Sequence, residues 1–375
     1  MRLRSDRPKF LAMAPFVRTD GSGDAADAFA DIVGLEGLNE SRFRRSAGQE
    51  TQRRVPAMGS QAHLVIHGDP RLVDGAVDRL AQLEDLWSRF LPDSDISRIN
   101  RAEGAPTRVA AETIGVLQLA VAGWNRSGGL FDPTLGVQMN SAGYDQPRNW
   151  EDWEIRPADS VGSSNSDSNK SGPAPSGNAS PQSGAGLLPP SAVPELDIDS
   201  ARNTVTLPAG YQLDLGGIGK GAAADLIVTE LIDQGADGAL ANIGGDVRVS
   251  GLPADGGSWR LLVAETAVRQ EPLATATLSS GGLATSTTRR RRWTHDGHQV
   301  HHLLDPSTGY STDDQRDTAV VLASVIAHTA AGAEVATKSF LVAGPNAKVE
   351  GVRAALLVTA DGALHRRGEA EELFR

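Results

Sequence analysis

The 375-residue chain contains no cysteine. This absence excludes disulfides, thiol nucleophiles and thiolate metal sites, but it does not indicate a redox compartment, because a cysteine-free protein is compatible with either. Long apolar runs are missing as well. No segment approaches the roughly 20 apolar residues that a membrane-spanning helix needs, so we expect no membrane span.

The sequence also lacks an excess of positive charge. It has 47 acidic against 36 basic residues, a formal net charge of -11, and this balance disfavours a general affinity for nucleic acid or anionic membranes. The apolar segment Phe10–Val17 follows several basic residues, but it is short for a signal peptide, contains Pro15 and precedes no clear Ala-x-Ala site. We expect a cytoplasmic protein, with export as the alternative.

The distribution of apolar residues divides the chain into three kinds of segment. Residues 1–54 are polar and without a sustained period, which predicts a poorly ordered extension. Residues 55–370 are periodic and predict a single large domain. Within them, 159–194 is rich in Ser, Gly, Pro and Asn. That stretch cannot bury enough surface to offset its ordering entropy, so we expect a flexible insertion.

The periodicity of apolar residues predicts helices and strands mixed along the domain. Helices are predicted at Val73–Phe90, Ala110–Asn125, Lys220–Asp233 and Val325–Val342. Strands are predicted at Ala62–Ile66, Ala239–Ile243, Val247–Ser250, Trp259–Ala264, Ala274–Leu278, Ala319–Ser324, Ala354–Thr359 and Ala363–Arg367. The last two flank Asp361-Gly362, a hairpin signal. This mixture predicts an α+β or mixed α/β fold.

The most informative segment is Leu213–Asp225, which reads Leu-Asp-Leu-Gly-Gly-Ile-Gly-Lys-Gly-Ala-Ala-Ala-Asp. It is typical of a strand, a glycine-rich turn and a helix start, where free N–H groups and a lysine can bind phosphate. It is not a Walker A loop, because Asp214 replaces the first glycine and no Ser or Thr follows Lys220. Gly219–Ala224 loosely matches the dinucleotide fingerprint. A phosphate site is predicted, with a plain tight turn as the alternative; its candidate residues are Gly216, Gly217, Gly219 and Lys220.

A second pattern is His301–Gly309, which reads His-His-Leu-Leu-Asp-Pro-Ser-Thr-Gly. His302 and Asp305 are close enough for a carboxylate to orient an imidazole, an arrangement that suits a general base acting on a hydroxyl. A structural pair in an ordinary turn is the alternative. Asp132 precedes a proline in Phe131–Thr134, and a turn-making role is the simpler interpretation there.

Two charged patterns have less specific meaning. The four consecutive arginines Arg289–Arg292 could line a groove for phosphates, although solvent exposure is the default expectation. Glu334 and Lys338 lie four apart on the last long predicted helix. Such a pair is usually on the surface. This helix is very apolar, however. A charged pair on its buried face would lower the stability of the fold, so a buried pair would indicate a functional role.

Taken in order, these motifs resemble those of the ApbE-like flavin transferases, the FAD:protein FMN transferases. The matching segments are Met58–Ser60, Trp87–Asn100, Phe131–Thr134, Asp214–Gly221, Asn242–Asp246 and His302–Gly309. The resemblance covers about 55–370 apart from the insertion. Each motif alone is weak, whereas the ordered set is specific.

The resemblance implies a T-fold-related α+β domain with an FAD cleft. It also implies transfer of the FMN half of FAD to a threonine or serine hydroxyl of an acceptor protein, with release of AMP. By the family pattern, His302 takes the hydroxyl proton and Asp305 fixes either the turn or the ring. The residues expected to bind FAD are Met58, Phe90, Leu130, Phe131, Asp132, Asp214, Gly216, Lys220 and Leu303.

The same resemblance implies a Mg²⁺ ion bound by two side chains on the last long helix and by the carbonyl of Gly217. The matching side chains here are Glu334 and Lys338. Glutamate can ligate magnesium, but a protonated lysine cannot, and its charge repels the ion. We therefore hypothesise that the Lys338 ammonium replaces the metal, lying between Glu334 and the FAD diphosphate.

Three other functions stay open at this point. The altered metal position is compatible with an FAD-binding or carrier protein that has lost transfer. Water in place of the acceptor hydroxyl would give an FAD pyrophosphate hydrolase. The glycine turn alone would also suit an NAD-type oxidoreductase, although a clean βαβ context is missing from the sequence pattern.

Overall fold

The computed structural model describes residues 49–147, 191–264 and 272–375. The expected extension up to residue 48 and the expected insertion up to residue 190 lie outside these ranges. The inner ends of both segments differ from the prediction. Residues 49–54 form part of a strand with a complete antiparallel register, and Ala192 and Val193 are buried. Sheet hydrogen bonds therefore hold a polar segment that carries no hydrophobic period of its own.

The described ranges contain fifteen strands and seven α-helices, with eight strands in succession between the fifth and the sixth helix. The strands are β1 (Gln49–Ala57), β2 (Ser60–Gly68), β3 (Thr107–Arg108), β4 (Asp197–Asp199), β5 (Thr204–Thr206), β6 (Gly238–Ile243), β7 (Asp246–Gly251), β8 (Trp259–Val263), β9 (Ala274–Leu278), β10 (Gly281–Thr287), β11 (Arg292–His295), β12 (His298–His301), β13 (Val320–Ala327), β14 (Val352–Thr359) and β15 (Leu364–Gly368). The α-helices are α1 (Leu72–Trp87), α2 (Asp95–Asn100), α3 (Ala111–Arg126), α4 (Gly136–Ser141), α5 (Gly219–Asp233), α6 (Ala330–Ala343) and α7 (Ala370–Leu373). Within these ranges, none of the helices has the length and apolar character to cross a membrane.

The central layer is an eight-stranded sheet in the order β1-β2-β6-β7-β10-β13-β14-β15. Every neighbouring pair in it is antiparallel. The strands β3, β5 and β4 form a small separate sheet, and β8–β9 and β11–β12 are two-stranded. The predicted α+β class is confirmed. An antiparallel sheet is not the parallel βαβ unit that a dinucleotide fingerprint requires.

The central sheet buries both of its faces. Successive strand residues point to opposite faces, so Leu64 and Ile66 of β2 join one core while Val65 joins the other. The first core lies against α1, α3 and α5. The second lies against the β8–β9 hairpin and Phe374. Helices α5 and α6 both contribute buried residues to the first core, which fixes them on the sheet.

Helix α6 begins directly against the start of α5. The Asp225 carboxylate accepts hydrogen bonds from the backbone N–H groups of Ala330 and Ala331 at 2.8 and 2.9 Å. A Cβ atom on Gly221 would lie 2.6 Å from the carbonyl carbon of Ala330, so only glycine permits this approach. The contact places Glu334, one turn into α6, beside the first turn of α5.

Two predicted elements are wrong in part. The helix expected at Val325–Val342 begins only at Ala330, because Val320–Ala327 form a fully buried strand. Thr329 is the N-cap, with its side chain accepting from the N–H of Gly332. The segment before the glycine turn is also not a ladder strand. The backbone N–H and C=O of Leu213 pair instead with the side-chain amide of Asn100 at 2.7 and 2.9 Å.

Candidate active site

A cleft of about 500 Å³ lies beside the glycine turn at the start of α5. Most of the residues predicted to bind FAD or its metal line this cleft: Met58, Phe90, Leu130, Phe131, Asp132, Asp214, Gly216, Gly217, Lys220, Leu303 and Lys338. His302 lines it as well. Asp305 and Glu334 do not, since Glu334 is fully buried behind the wall and Asp305 faces a second, larger groove.

The glycine turn is held by the Phe-Asp-Pro-Thr motif and by its own aspartate. The N–H of Asp214 donates to the carbonyl of Pro133 at 2.8 Å. Asp214 then accepts from the N–H of Gly216 at 2.7 Å and pairs with Arg89 at 2.9 Å. The Phe131 ring packs on Gly217, where a Cβ would lie only 2.9 Å from the ring. Two motifs that lie about 80 residues apart in the sequence therefore form one wall.

Asp132 has the turn-making role that was the simpler interpretation. Its Oδ1 accepts from the N–H and the hydroxyl of Thr134 at 2.7 and 2.6 Å. The residue still lines the cleft, so its part in FAD binding stays a prediction.

The aromatic rings of Phe90 and Tyr144 form another part of the cleft wall, and Trp293 packs against Tyr144. The ring centroids of Phe90 and Tyr144 are 5.4 Å apart, and Tyr144 and Trp293 are 5.7 Å apart. The Arg89 guanidinium lies 4.2 Å from the centroid of Phe90. Such surfaces suit the stacking of a flat heteroaromatic ring. The sequence motifs identified Phe90 but not Tyr144, whose surrounding residues match no motif.

Four charged side chains meet at the wall of the cleft, and we call them the buried charge cluster: Lys220, Asp246, Glu334 and Lys338. The Lys220 ammonium lies 2.5 Å from Glu334 and 2.8 Å from Asp246. Lys338 lies 3.3 Å from Glu334. Asp246 was named only as part of the Asn242–Asp246 motif, and its pairing with Lys220 could not be read from the sequence.

Burial and pairing set the charges in this cluster. Burial alone would lower the pKa of Lys220, but Asp246 and Glu334 outweigh it and the pKa is raised. Burial would likewise raise the pKa of Glu334, yet the two ammonium groups hold it low. Burial lowers the pKa of Lys338, while Glu334 and Asp246 favour its charged form. Burial and then Glu334 raise the pKa of Asp246 to about 6.

The side chains present do not fit a magnesium ion at Glu334. Its Oε1 accepts from both lysines, and its Oε2 accepts from the N–H of Gly221 at 2.8 Å. A magnesium ion bonds oxygen at about 2.0–2.1 Å, so on Oε1 it would lie beside two ammonium groups. Across the described ranges, no group of three or more His, Asp or Glu side chains could hold a metal ion.

His302 is uncharged at neutral pH. Burial, followed by the positive charge of Arg291, lowers its pKa well below 6.5. Its Nδ1 is buried with no hydrogen-bond partner in the part of the chain that the structure describes. Asp305 does not orient the ring, because its Oδ1 instead accepts from the N–H and hydroxyl of Ser307 at 2.8 and 2.7 Å. Of the two roles expected for Asp305, the geometry favours fixing the turn.

The four arginines have four different environments. Arg290 is exposed as expected, but Arg289 and Arg292 are buried, and Arg292 pairs with Asp314 at 2.5 Å. Arg291 lines the cleft with φ of 52°, a left-handed conformation unusual for arginine. Within the described ranges its side chain makes no hydrogen bond or ion pair. An unpaired guanidinium in this cleft is suited to bind a phosphate.

We expect Arg291→Gln to weaken FAD binding by about 10-fold or more, because a hydrogen bond to a charged group contributes about 1.5–3 kcal/mol. Flavin fluorescence titration measures the change. Arg290→Gln is the matched control and should bind FAD like the wild type, since Arg290 does not line the cleft. Equal affinities in both variants would remove Arg291 from the site.

The ApbE family model matches residues 58–358 of the chain. The chain is similar to an FAD:protein FMN transferase of Vibrio cholerae, with 25% identity over 276 residues, which is 71% of this chain and 75% of the relative. It is 34% identical to one from Klebsiella pneumoniae over 116 residues, 31% of this chain and 35% of that relative. It thus spans three quarters of the first relative and about a third of the second.

A solved structure shows a similar fold. The crystal structure of the ApbE protein from Thermotoga maritima superposes with a TM-score of 0.68 and 24% sequence identity. The match covers 87% of this chain and 100% of that one. At this sequence identity, the similarity shows a shared fold only.

Proposed function

The chain belongs to the ApbE family, and we propose that it transfers the FMN half of FAD to a threonine or serine hydroxyl of an acceptor protein. FAD is the substrate and AMP the leaving product. The flavin transferase relatives and the ordered motifs support this proposal. The observation that carries it within the site is the position of His302, an uncharged base that shares one cleft with the glycine turn, Arg291 and Lys338.

The site residues suit each part of this reaction. The acceptor oxygen attacks the phosphorus of the FMN half, and its proton passes to the imidazole of His302. A new P–O bond forms as the bridging P–O bond breaks, and AMP leaves with the bonding electron pair. Charge develops on the bridging and non-bridging oxygens, so fixed positive groups and N–H donors should supply most of the catalysis. In this proposal Arg291 and Lys338, which both line the cleft, supply the positive charge.

Product analysis tests the proposal against its alternatives. The protein is incubated with FAD and a candidate acceptor domain, and small molecules and acceptor mass are measured together. An acceptor heavier by one FMN, with one AMP released, supports transfer. AMP with free FMN indicates a hydrolase, and bound but intact FAD indicates a carrier. NAD reduction in the presence of a substrate would indicate the oxidoreductase, which the antiparallel sheet disfavours.

We expect the rate of transfer to stay high as the pH falls from 8 to 6.5. A general base acts in its neutral form, and burial holds the pKa of His302 well below 6.5. The transfer rate, measured at saturating FAD, should therefore fall to half of its maximum only below pH 6.5. A transfer rate that falls to half at or above pH 6.5 would show that His302 is not the base or is not buried from solvent.

A further inference from the structure

The two lysines of the buried charge cluster differ in how many of their N–H donors are used. A lysine ammonium has three donors and no acceptor. Lys220 has three acceptors, namely Glu334 at 2.5 Å, Asp246 at 2.8 Å and the carbonyl of Gly216 at 3.4 Å. Lys338 has one, Glu334 at 3.3 Å, within the described ranges. Lys220 is therefore saturated by the protein, whereas Lys338 has two donors left.

The unused donors of Lys338 lie next to the glycine turn. The Cε atom of Lys338 is 3.8 Å from the point where a Cβ on Gly217 would be, and both residues line the cleft. The side chain of Lys338 is 14% exposed, while that of Glu334 is fully buried. The end of the Lys338 side chain thus lies between Gly217 and Glu334, the two positions at which the family resemblance implies a metal ligand.

Glu334 determines where this ammonium lies. Its carboxylate is fixed on one side by Lys220 and on the other by the N–H of Gly221. Lys220 in turn is paired with Asp246. The cluster pairs two ammonium groups with two carboxylates. Within the described ranges, Lys338 has a single acceptor, and its side chain lines the cleft.

We propose that Lys338, held by Glu334, performs at the FAD diphosphate the charge-stabilising task of a divalent cation, so that FAD binding and FMN transfer need no metal ion. This inference rests on the proposed function for its substrate. It keeps the role that the sequence analysis gave Lys338 and changes the role expected of Lys220. Lys338 contacts the diphosphate, and Lys220 is a positioning residue that keeps Glu334 in place.

The first test measures metal dependence in the full-length protein. FAD affinity by flavin fluorescence and the rate of FMN transfer should be the same in EDTA and in millimolar Mg²⁺. Electron paramagnetic resonance of Mn²⁺ added to the protein–FAD complex should show only free ion. Loss of affinity in EDTA with recovery in Mg²⁺, or stoichiometric binding of Mn²⁺, would overturn the inference.

The second test replaces Lys338 with Met, which keeps the length of the side chain and removes the charge. We expect FAD affinity to fall by about 10-fold or more and transfer to fall by about 10²–10³-fold, with no recovery in Mg²⁺. Lys348→Met is the matched control, because Lys348 is exposed and away from the cleft. Thermal melting shows whether each variant is folded. A folded Lys338→Met variant with wild-type affinity and rate would overturn the inference.

The outcomes separate this inference from the proposed function. Metal-independent, Lys338-dependent binding of FAD without any transfer would uphold the role of Lys338 and refute the transferase. Transfer that requires Mg²⁺ would uphold the transferase and refute the role of Lys338.

Discussion

Replacing His302 with alanine is expected to slow FMN transfer by about 10²–10⁴-fold, the usual contribution of general-base catalysis. FAD affinity should stay close to that of the wild type. Within the described ranges, no hydrogen bond of the fold depends on the His302 side chain, whose Nδ1 is buried without a partner. Its loss therefore removes the base without removing a structural contact.

Transfer is measured in a single turnover with excess protein, and FAD affinity by flavin fluorescence. His298→Ala is the matched control, because His298 is an exposed histidine on the neighbouring strand β12. It should transfer at the wild-type rate. If the two variants transferred FMN at equal rates, His302 would have no part in the mechanism. If His302→Ala lost FAD affinity by the same factor as it lost transfer rate, His302 would be a binding residue.

Replacing Glu334 with alanine is expected to lower the free energy of unfolding by about 3–5 kcal/mol, the usual cost of removing one partner of a buried ion pair. The variant leaves Lys338 without its ion-pair partner and the N–H of Gly221 without an acceptor. Lys220 keeps Asp246. Because whole domains are stable by only about 5–15 kcal/mol, the loss should be plain in urea unfolding.

Asp74→Ala is the control for this change, since Asp74 pairs with Arg53 on the surface at 3.3 Å. Exposed pairs contribute little, so its unfolding curve should overlie that of the wild type. Glu334→Gln separates charge from shape, because the amide oxygen can still accept from Gly221. If Glu334→Ala were as stable as Asp74→Ala, the buried charge cluster would not be holding α5 to α6.

The sequence was sufficient to predict the cleft, because motifs that lie far apart in the chain converge in the order that the family shows. Phe131, Asp214 and His302 line one cleft, and their functional roles stay predictions. Helices with clear 3.6-residue periods, such as α1 and α3, were predicted to within a few residues. Their apolar stripes face the core directly, so local pattern and packing agree.

Contacts between distant segments could not be predicted in the same way. Lys220 was expected to bind phosphate because a lysine in a glycine turn usually does, but carboxylates 26 and 114 residues away hold its ammonium. The sequence shows that Glu334 and Lys338 share a helix face. It does not show that Lys220 approaches the same carboxylate, which depends on how α6 packs against α5.

The boundaries of some elements were set by tertiary structure. Val325–Ala327 has the apolar character of a buried helix as well as of a buried strand, and periodicity alone cannot separate the two. The structure places it at the end of β13. The β11–β12 hairpin was also missed, although Asp296-Gly297 with φ of 48° and 77° is a typical hairpin turn.

Covalent flavin on protein is the direct measure of the central claim. Purified protein and FAD are added to an extract of cells that lack the gene, and the polypeptides are separated under denaturing conditions and scanned for flavin fluorescence. Transfer predicts new fluorescent polypeptides with the wild-type protein and none with His302→Ala. A wild-type protein that binds FAD yet leaves no flavin on any denatured polypeptide would contradict the claim.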